Sequence, residues 1–417
     1  MSWRPWFPGL ALLVVIGVVP APSFAAGKLD CELIAGSLSR LETLRETYPD
    51  RVGAKVDGTI ARLADRYADR CVRLNHLQVL GSHNSYHIEP EPDLFQLLLS
   101  FDPMFLAWEY NHLPLDEQFS FQGIRQIELD LFHDPEGGYH ADPLGLVLLS
   151  DDPDIRIPHF EPPGLKVFHV QELDFQTTCP TFVNCLEIIR DWSNANPGHL
   201  PTSVLLELKD DAILDPGFGF RLPLPFDAAA LDGVDAEIRS VFAEKRLLTP
   251  DFVRGDRETL EEAILEDGWP TLADSRGKIL FLMDNGGTKR ALYREGRPSL
   301  EGRVIFTNAD PGDEDAAFVK RNNPLSQGGD IADLVSQGYL VRTRADGDTV
   351  QAREGDPTQR DAALASGAQF VSSDYPVPNL DFGTDYFVQI PGGMPAACNP
   401  ISAPSGCRNP SLERLRP

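Results

Sequence analysis

The sequence predicts an α/β fold: a (β/α)8 TIM barrel preceded by an N-terminal helical hairpin and followed by a loop-rich C-terminal tail. Eight short, apolar, β-rich runs recur at 77–84, 125–132, 166–171, 203–209, 278–284, 303–308, 339–344 and 369–374. Helical patterns occupy several of the intervals, at 185–192, 228–242, 259–265, 331–337 and 359–364. Near-continuous apolar strands such as KILFLMDN, separated by helices, are what a parallel sheet covered on both faces requires, and eight of them are enough to close a barrel. A chain of 417 residues accommodates such a barrel with insertions.

Taken in order, Arg4, the apolar run Leu10 to Val19 and the small-x-small Ser23-Phe24-Ala25 read as a secretory signal peptide over residues 1–25. The apolar run is short for a bilayer span, so removal is expected rather than anchoring. Residues 26–75 read as the hairpin. Leu33, Ile34, Leu38 and Leu41, then Ile60, Leu63 and Tyr67, keep helical spacing on either side of a break at Tyr48-Pro49-Asp50. The barrel is expected over 76–379, with Pro-rich, aromatic material at 87–122 forming a lid-like insertion after the first strand. Residues 380–417 form a Pro/Gly/Ser-rich tail. The six cysteines are even in number, as a secreted chain with disulfides requires. Cys179/Cys185 and Cys398/Cys407 read as local clasps, which leaves Cys31 and Cys71 to join the two helices of the hairpin; none has zinc-site spacing.

The charge balance excludes some partners. Sixty-three acidic against 37 basic residues leave a strongly negative surface, which argues against nucleic-acid binding and against electrostatic adhesion to anionic lipid. Any anionic substrate must be held locally, by a metal or by a few placed cations.

Three pairs of charged residues stand two apart in the predicted strands: Glu128 and Asp130 in RQIELDLFHD, Glu207 and Lys209 in SVLLELKDD, Arg342 and Arg344 in YLVRTRAD. Residues i and i+2 of a strand share a face, and a lone buried charge costs roughly several kcal/mol unless paired or metal-bound, so each pair must meet something. The first run ends in Ser82-His83-Asn84, and GLKVFHVQE carries His169. Carboxylates, two histidines and cations at strand ends, where barrels of this kind keep their active sites, point to metal-assisted phosphate-ester chemistry.

GSHNSYH after the first strand, IELD on the second, the histidine of VFHVQE, LLELKD and finally GAQFVSSDYP, in that order over roughly residues 75–376, resemble the calcium-dependent phosphatidylinositol-specific phospholipase C group of the phospholipase C-like phosphodiesterase barrels. Related glycerophosphodiester phosphodiesterases begin with His-Arg-Gly where this chain has His83-Asn84-Ser85. An Asn carbonyl is a hard oxygen ligand and Arg is not, so the difference favours a cation, Ca2+, held by Asn84, Glu128, Asp130 and Glu207.

The resemblance implies attack of the inositol 2-hydroxyl on the adjacent phosphorus, giving a cyclic phosphodiester and freeing diacylglycerol. It makes His83 and His169 the catalytic pair, His83 on the phosphoryl oxygens and His169 as proton donor to the leaving alcohol. Glu128, Asp130 and His83 all stay open as the general base. Lys209 contacts substrate phosphate or neutralises Glu207; Arg342 and Arg344 clamp a phosphate or sugar hydroxyls, or form interior ion pairs. His87, His133 and His140 read as loop residues, and Asp374 and Tyr375 as substrate contacts or barrel packing. The expected partner is a phosphoinositide or another phosphodiester met through transient contact with a membrane surface, with no nucleic acid. The rivals are a phosphodiesterase for soluble glycerophosphodiesters and an inactive phosphate-binding barrel.

Overall fold

The computed structural model describes residues 24–150, 152, 154–215 and 217–413, so the expected signal peptide lies almost wholly outside the described residues. Two helices come first, α1 (Phe24–Thr47) and α2 (Pro49–Cys71), with Pro49 at the start of the second, where its missing N–H costs nothing. Ile34 and Leu38 from α1, with Ala64, Tyr67 and Ala68 from α2, enter the same hydrophobic core as the strands.

Eleven strands follow among the described residues: β1 (Leu77–Ser82), β2 (Gln126–Phe132), β3 (Lys166–Val167), β4 (Thr202–Leu208), β5 (Leu247–Leu248), β6 (Ile279–Met283), β7 (Ile305–Phe306), β8 (Phe318–Lys320), β9 (Leu340–Arg344), β10 (Phe370–Ser373) and β11 (Ala396–Cys398). Parallel pairing runs from β2 through β4 and β6 to β7, and from β8 through β9 and β10 to β1. Gly81 meets Gln126 to join β1 to β2, and a parallel bridge from Asn308 to Phe318 brings β7 to β8. The parallel strands therefore curl round into the barrel, with helices outside. Gly81 is required at the first junction: a Cβ there would stand 1.9 Å from the Gln126 side-chain oxygen.

Several strands differ from expectation, the two-residue β5, which pairs with β6, among them. The run 166–171 is not a parallel barrel strand; only Lys166–Val167 is extended, and it lies antiparallel on the end of β2. Phe168 instead stacks on Phe132 at 4.0 Å and packs with Phe160 in a separate aromatic cluster, so the run is apolar for that reason. The place in the barrel goes to β8, three residues long and too short to show an alternating pattern. The tail also contributes a strand. β11 pairs antiparallel with Leu77–Val79 of β1, where β2 has not yet begun to pair and the backbone groups need a partner.

The insertion after β1 holds α3 (Pro92–Phe101), a 3-10 turn (Pro103–Trp108) and α4 (Leu115–Phe121); after β2 comes the short α5 (Leu144–Leu149). No helix among the described residues is long and apolar enough to cross a membrane.

The cysteines pair as Cys31–Cys71, Cys179–Cys185 and Cys398–Cys407, with none free. The first closes a 40-residue separation, for which the chain-entropy account gives roughly 4 kcal/mol. Alkylation of the native, unreduced protein is expected to label none of the six cysteines, and reduction is expected to lower the thermal midpoint. Free thiols counted in the unreduced protein would contradict the pairing.

Candidate active site

Glu128 and Asp130 are both inward positions of β2, 2 % and 0 % exposed. The β2–β4 register sets Asp130 opposite Glu207, and carboxylate oxygens of Glu128, Asp130 and Glu207 lie within 4.8 Å of one another. Burial pushes Glu128 up to about 7, with Arg342 opposing, and pushes Asp130 well above the usual carboxylate range against the pull of Lys209. Lys209 Nζ stands 3.3 Å from Asp130 Oδ2 and 3.3 Å from Glu207 Oε1, so the i, i+2 pair of β4 meets its neighbours on one face. Burial disfavours the charge on Lys209, but Asp130 and Glu207 outweigh it and hold the ammonium protonated.

The chain leaves β1 through His83 and Asn84, whose φ of 43° is a left-handed conformation that Asn tolerates better than most residues. Ser85 then latches the turn to β2: its N–H donates to the Glu128 carbonyl at 2.9 Å and its Oγ accepts from the Glu128 N–H at 2.8 Å. Asn84 Nδ2 donates to the Tyr110 hydroxyl, 2.9 Å away. Its Oδ1 is buried without a donor, and neither oxygen of buried Asp130 accepts a hydrogen bond; Lys209 neutralises Asp130 without being aligned to donate. Buried acceptors left this way are costly and call for a partner. One amide oxygen beside three carboxylates is a hard, oxygen-only donor set, which fits calcium.

Two histidine–aspartate pairs stand at the same mouth. His83 Nδ1 is 2.7 Å from Asp374 Oδ1, and Arg344 Nη1 is 3.0 Å from His83 Nε2 while its Nη2 donates to Asp374 Oδ2 at 2.8 Å. A guanidinium has no lone pair to offer, so Nε2 accepts and the ring proton sits on Nδ1. Burial, and then Arg344, hold His83 well below the usual histidine range.

His169 lies in the turn after β3, not on a strand. Its Nδ1 is 2.7 Å from Asp174 Oδ2, and His87 Nε2 reaches the same oxygen at 2.8 Å. His87 Nδ1 is 3.0 Å from the Tyr110 carbonyl, so both of its nitrogens face acceptors and both carry protons. Burial works against that charge, but Asp174 outweighs it and raises His87. Burial likewise opposes an ionised Asp174, yet His87 and His169 bring it down to about 2. Burial lowers His169 itself. With Nδ1 spent on Asp174, Nε2 is the nitrogen of His169 that can exchange a proton. The rings run in sequence across the mouth: His83 to Tyr110 at 6.4 Å, Tyr110 to His87 at 4.2 Å, His87 to His169 at 5.4 Å and His169 to Trp108 at 5.7 Å.

All nine residues singled out in the sequence thus border one mouth, though in different ways. Arg342 is 2 % exposed and spends its guanidinium on Glu128 (2.6 Å), Asn322 (2.7 Å) and Ser372 (3.2 Å); it takes the interior pairing rather than the substrate clamp. His133 bonds the Pro225 carbonyl, His140 packs on Phe132 and Phe168, and Tyr375 is a packing residue hydrogen-bonded to the Glu109 carbonyl. His87, read from the sequence as a loop residue, is instead fully buried in the site against Asp174, and Asp174 was not found by sequence reasoning. The only signal for Asp174 was an acidic residue five positions after His169 in HVQELD.

The chain is similar to two solved bacterial structures. The calcium-dependent phosphoinositol-specific phospholipase C of the Gram-negative Pseudomonas sp. shares 16 % identity, covering 79 % of this chain and 96 % of its own, with a TM-score of 0.48. The Ca2+-dependent phosphatidylinositol-specific phospholipase C of Streptomyces antibioticus shares 18 %, covering 73 % and 96 %, with a TM-score of 0.45. No curated protein matches. The family model of calcium-dependent phosphoinositide phospholipase C matches residues 72–400, and the chain belongs to that family of calcium-dependent phosphodiesterases.

Proposed function

We propose that this mouth cleaves phosphatidylinositol by attack of the inositol 2-hydroxyl on the adjacent phosphorus, releasing a cyclic inositol phosphate and diacylglycerol. The observation that carries the reading is the juxtaposition of buried oxygens that lack donors, on Asn84 and Asp130, with two separate His–Asp pairs. Asn84, Glu128, Asp130 and Glu207 would hold the calcium ion. When bound, calcium supplies Lewis-acid polarisation of the phosphoryl oxygen and of the attacking hydroxyl.

The chain's own residues divide the proton work. His83, neutral, accepts the proton of the 2-hydroxyl on the Nε2 lone pair that Arg344 occupies until it turns to the phosphate, while Asp374 holds the ring and stabilises the imidazolium that forms. In this reading His83 is the base and is not on the phosphoryl oxygens. Arg344, already at His83 Nε2, turns to the phosphate as the substrate arrives, and Lys209, 25 % exposed, reaches it from the carboxylate side. His169 donates from Nε2 to the departing diacylglycerol oxygen, its orientation set by Asp174. Arg342 fixes Glu128. We further propose that the protein acts outside the cytoplasm after loss of residues 1–25, a reading that the three disulfides support.

Incubation with phosphatidylinositol and, separately, with glycerophosphodiesters, each with calcium or with a chelator, tests this. Cyclic inositol phosphate is expected from phosphatidylinositol in calcium alone. Free glycerol 3-phosphate without a cyclic product would favour the soluble-substrate rival, and binding without turnover would make the barrel idle.

A further inference from the structure

The insertion after β1 comes back to the mouth at residues 109–112, and each of those four residues is tied down there. Glu109 pairs with Arg353, and its carbonyl accepts from the Tyr375 hydroxyl at 3.2 Å. The Tyr110 carbonyl accepts from His87 Nδ1 at 3.0 Å, and the Tyr110 and His87 rings stack at 4.2 Å. Asn111 Oδ1 accepts from the Glu89 N–H at 3.0 Å. The His112 N–H donates to the His87 carbonyl at 3.0 Å, and His112 Nε2 donates to the His83 carbonyl at 2.8 Å. The segment is a strut laid along the turn 83–89, fastened to it on both sides of Asn84.

Asn84 is the residue that the strut encloses. Asn84 and Tyr110 are both buried, and the Asn84 side chain makes one hydrogen bond among the described residues, from Nδ2 to the Tyr110 hydroxyl at 2.9 Å, while Oδ1 has no donor. The two ends of a primary amide are chemically unlike: the carbonyl oxygen can ligate a hard cation, and the NH2 group is a donor only. Asn84 therefore serves as a ligand in one of its two orientations. A hydroxyl both donates and accepts, so with the site empty either orientation finds a partner in Tyr110. Once a cation takes Oδ1, Nδ2 needs a buried acceptor, and the Tyr110 oxygen supplies it.

We propose that Tyr110 is a positioning residue for calcium: its hydroxyl holds Nδ2 of Asn84 in the orientation that presents Oδ1 to the cation. This deepens, and rests on, the reading of Asn84, Glu128, Asp130 and Glu207 as the calcium site. The hydroxyl acts on Asn84, and the ring acts separately, through its stack on His87. Tyr110→Phe removes the first and keeps the second. Partners that orient a ligand from behind contribute about 10–100-fold in metal affinity.

The test is calorimetric titration of the full protein with calcium chloride, which needs no substrate and no turnover. Tyr110→Phe is expected to bind calcium at least about tenfold more weakly than wild type, with its thermal midpoint in chelator unchanged. Asn84→Ala is also expected to bind more weakly, and adding Tyr110→Phe to it should cost nothing further, because the hydroxyl then has no amide to hold. Calcium binding by Tyr110→Phe within about twofold of wild type overturns the proposal. So does a penalty that persists undiminished over Asn84→Ala, or one matched by a fall in the calcium-free thermal midpoint, since either makes Tyr110 a packing residue. Wild type that binds no calcium would reject the calcium site and this role with it, whereas wild-type binding left intact in Tyr110→Phe rejects the role of Tyr110 alone.

Discussion

His169→Ala is expected to lower kcat by at least about a hundredfold with the fold intact, since a positioned general acid typically contributes 10²–10⁴-fold. Asp174→Asn should fall nearly as far, for a different reason. Asp174 Oδ2 accepts from both His87 and His169. An amide offers one oxygen and an NH2 group, so one of the two rings must turn or change tautomer, and His169 loses its aim. The pH profile separates this from loss of packing. As an acid, His169 must carry its second proton, and burial lowers its pKa from the ordinary 6.5. The wild-type kcat/KM is therefore expected to decline as pH rises through a value below 6.5, and that limb should vanish in His169→Ala. Retention of the limb in His169→Ala, or an Asp174→Asn enzyme within about twofold of wild type, would remove His169 from the acid role.

Calcium removal is expected to abolish activity, and Glu207→Gln should move the calcium requirement to higher concentration while leaving kcat largely recoverable at saturation. One charged ligand is lost from a site whose Asn84, Glu128 and Asp130 oxygens persist, so the defect lies in affinity. No calcium concentration should rescue His169→Ala, whose missing function is proton transfer. The pH dependence has a definite sign. Burial raises Glu128 to about 7 and Asp130 well above its ordinary range, so protons compete with the cation, and the calcium midpoint should rise as pH falls from 8 to 6, about one unit either side of the Glu128 value. Calorimetry reads this without turnover, as proton release that accompanies binding. Equal midpoints at both pH values, or Glu207→Gln matching wild type at limiting calcium, would place the cation elsewhere.

The sequence by itself determined the parts whose signal is local. Strands alternate faces with period two, so the spacing of Glu128/Asp130, Glu207/Lys209 and Arg342/Arg344 alone established that each pair projects together, and the burial cost of charge established that they converge. The hairpin and the long apolar strands were legible for the same reason, being carried by residues within one element. Tertiary structure alone decided the rest. Strand β8 is defined by its parallel pairing with the next strand, β9, and three residues hold too few positions to display a period. The run around His169 is apolar because Phe168 packs on Phe132 and Phe160, a contact across connections that periodicity does not register. The partners of the histidines were hidden in the same way. Asp374 reaches His83 from 291 positions away, and His87 meets Asp174 across 87. Which acid holds which ring, and therefore which nitrogen can give or take a proton, depends on side-chain distances of 2.7–2.8 Å that only the closed barrel sets.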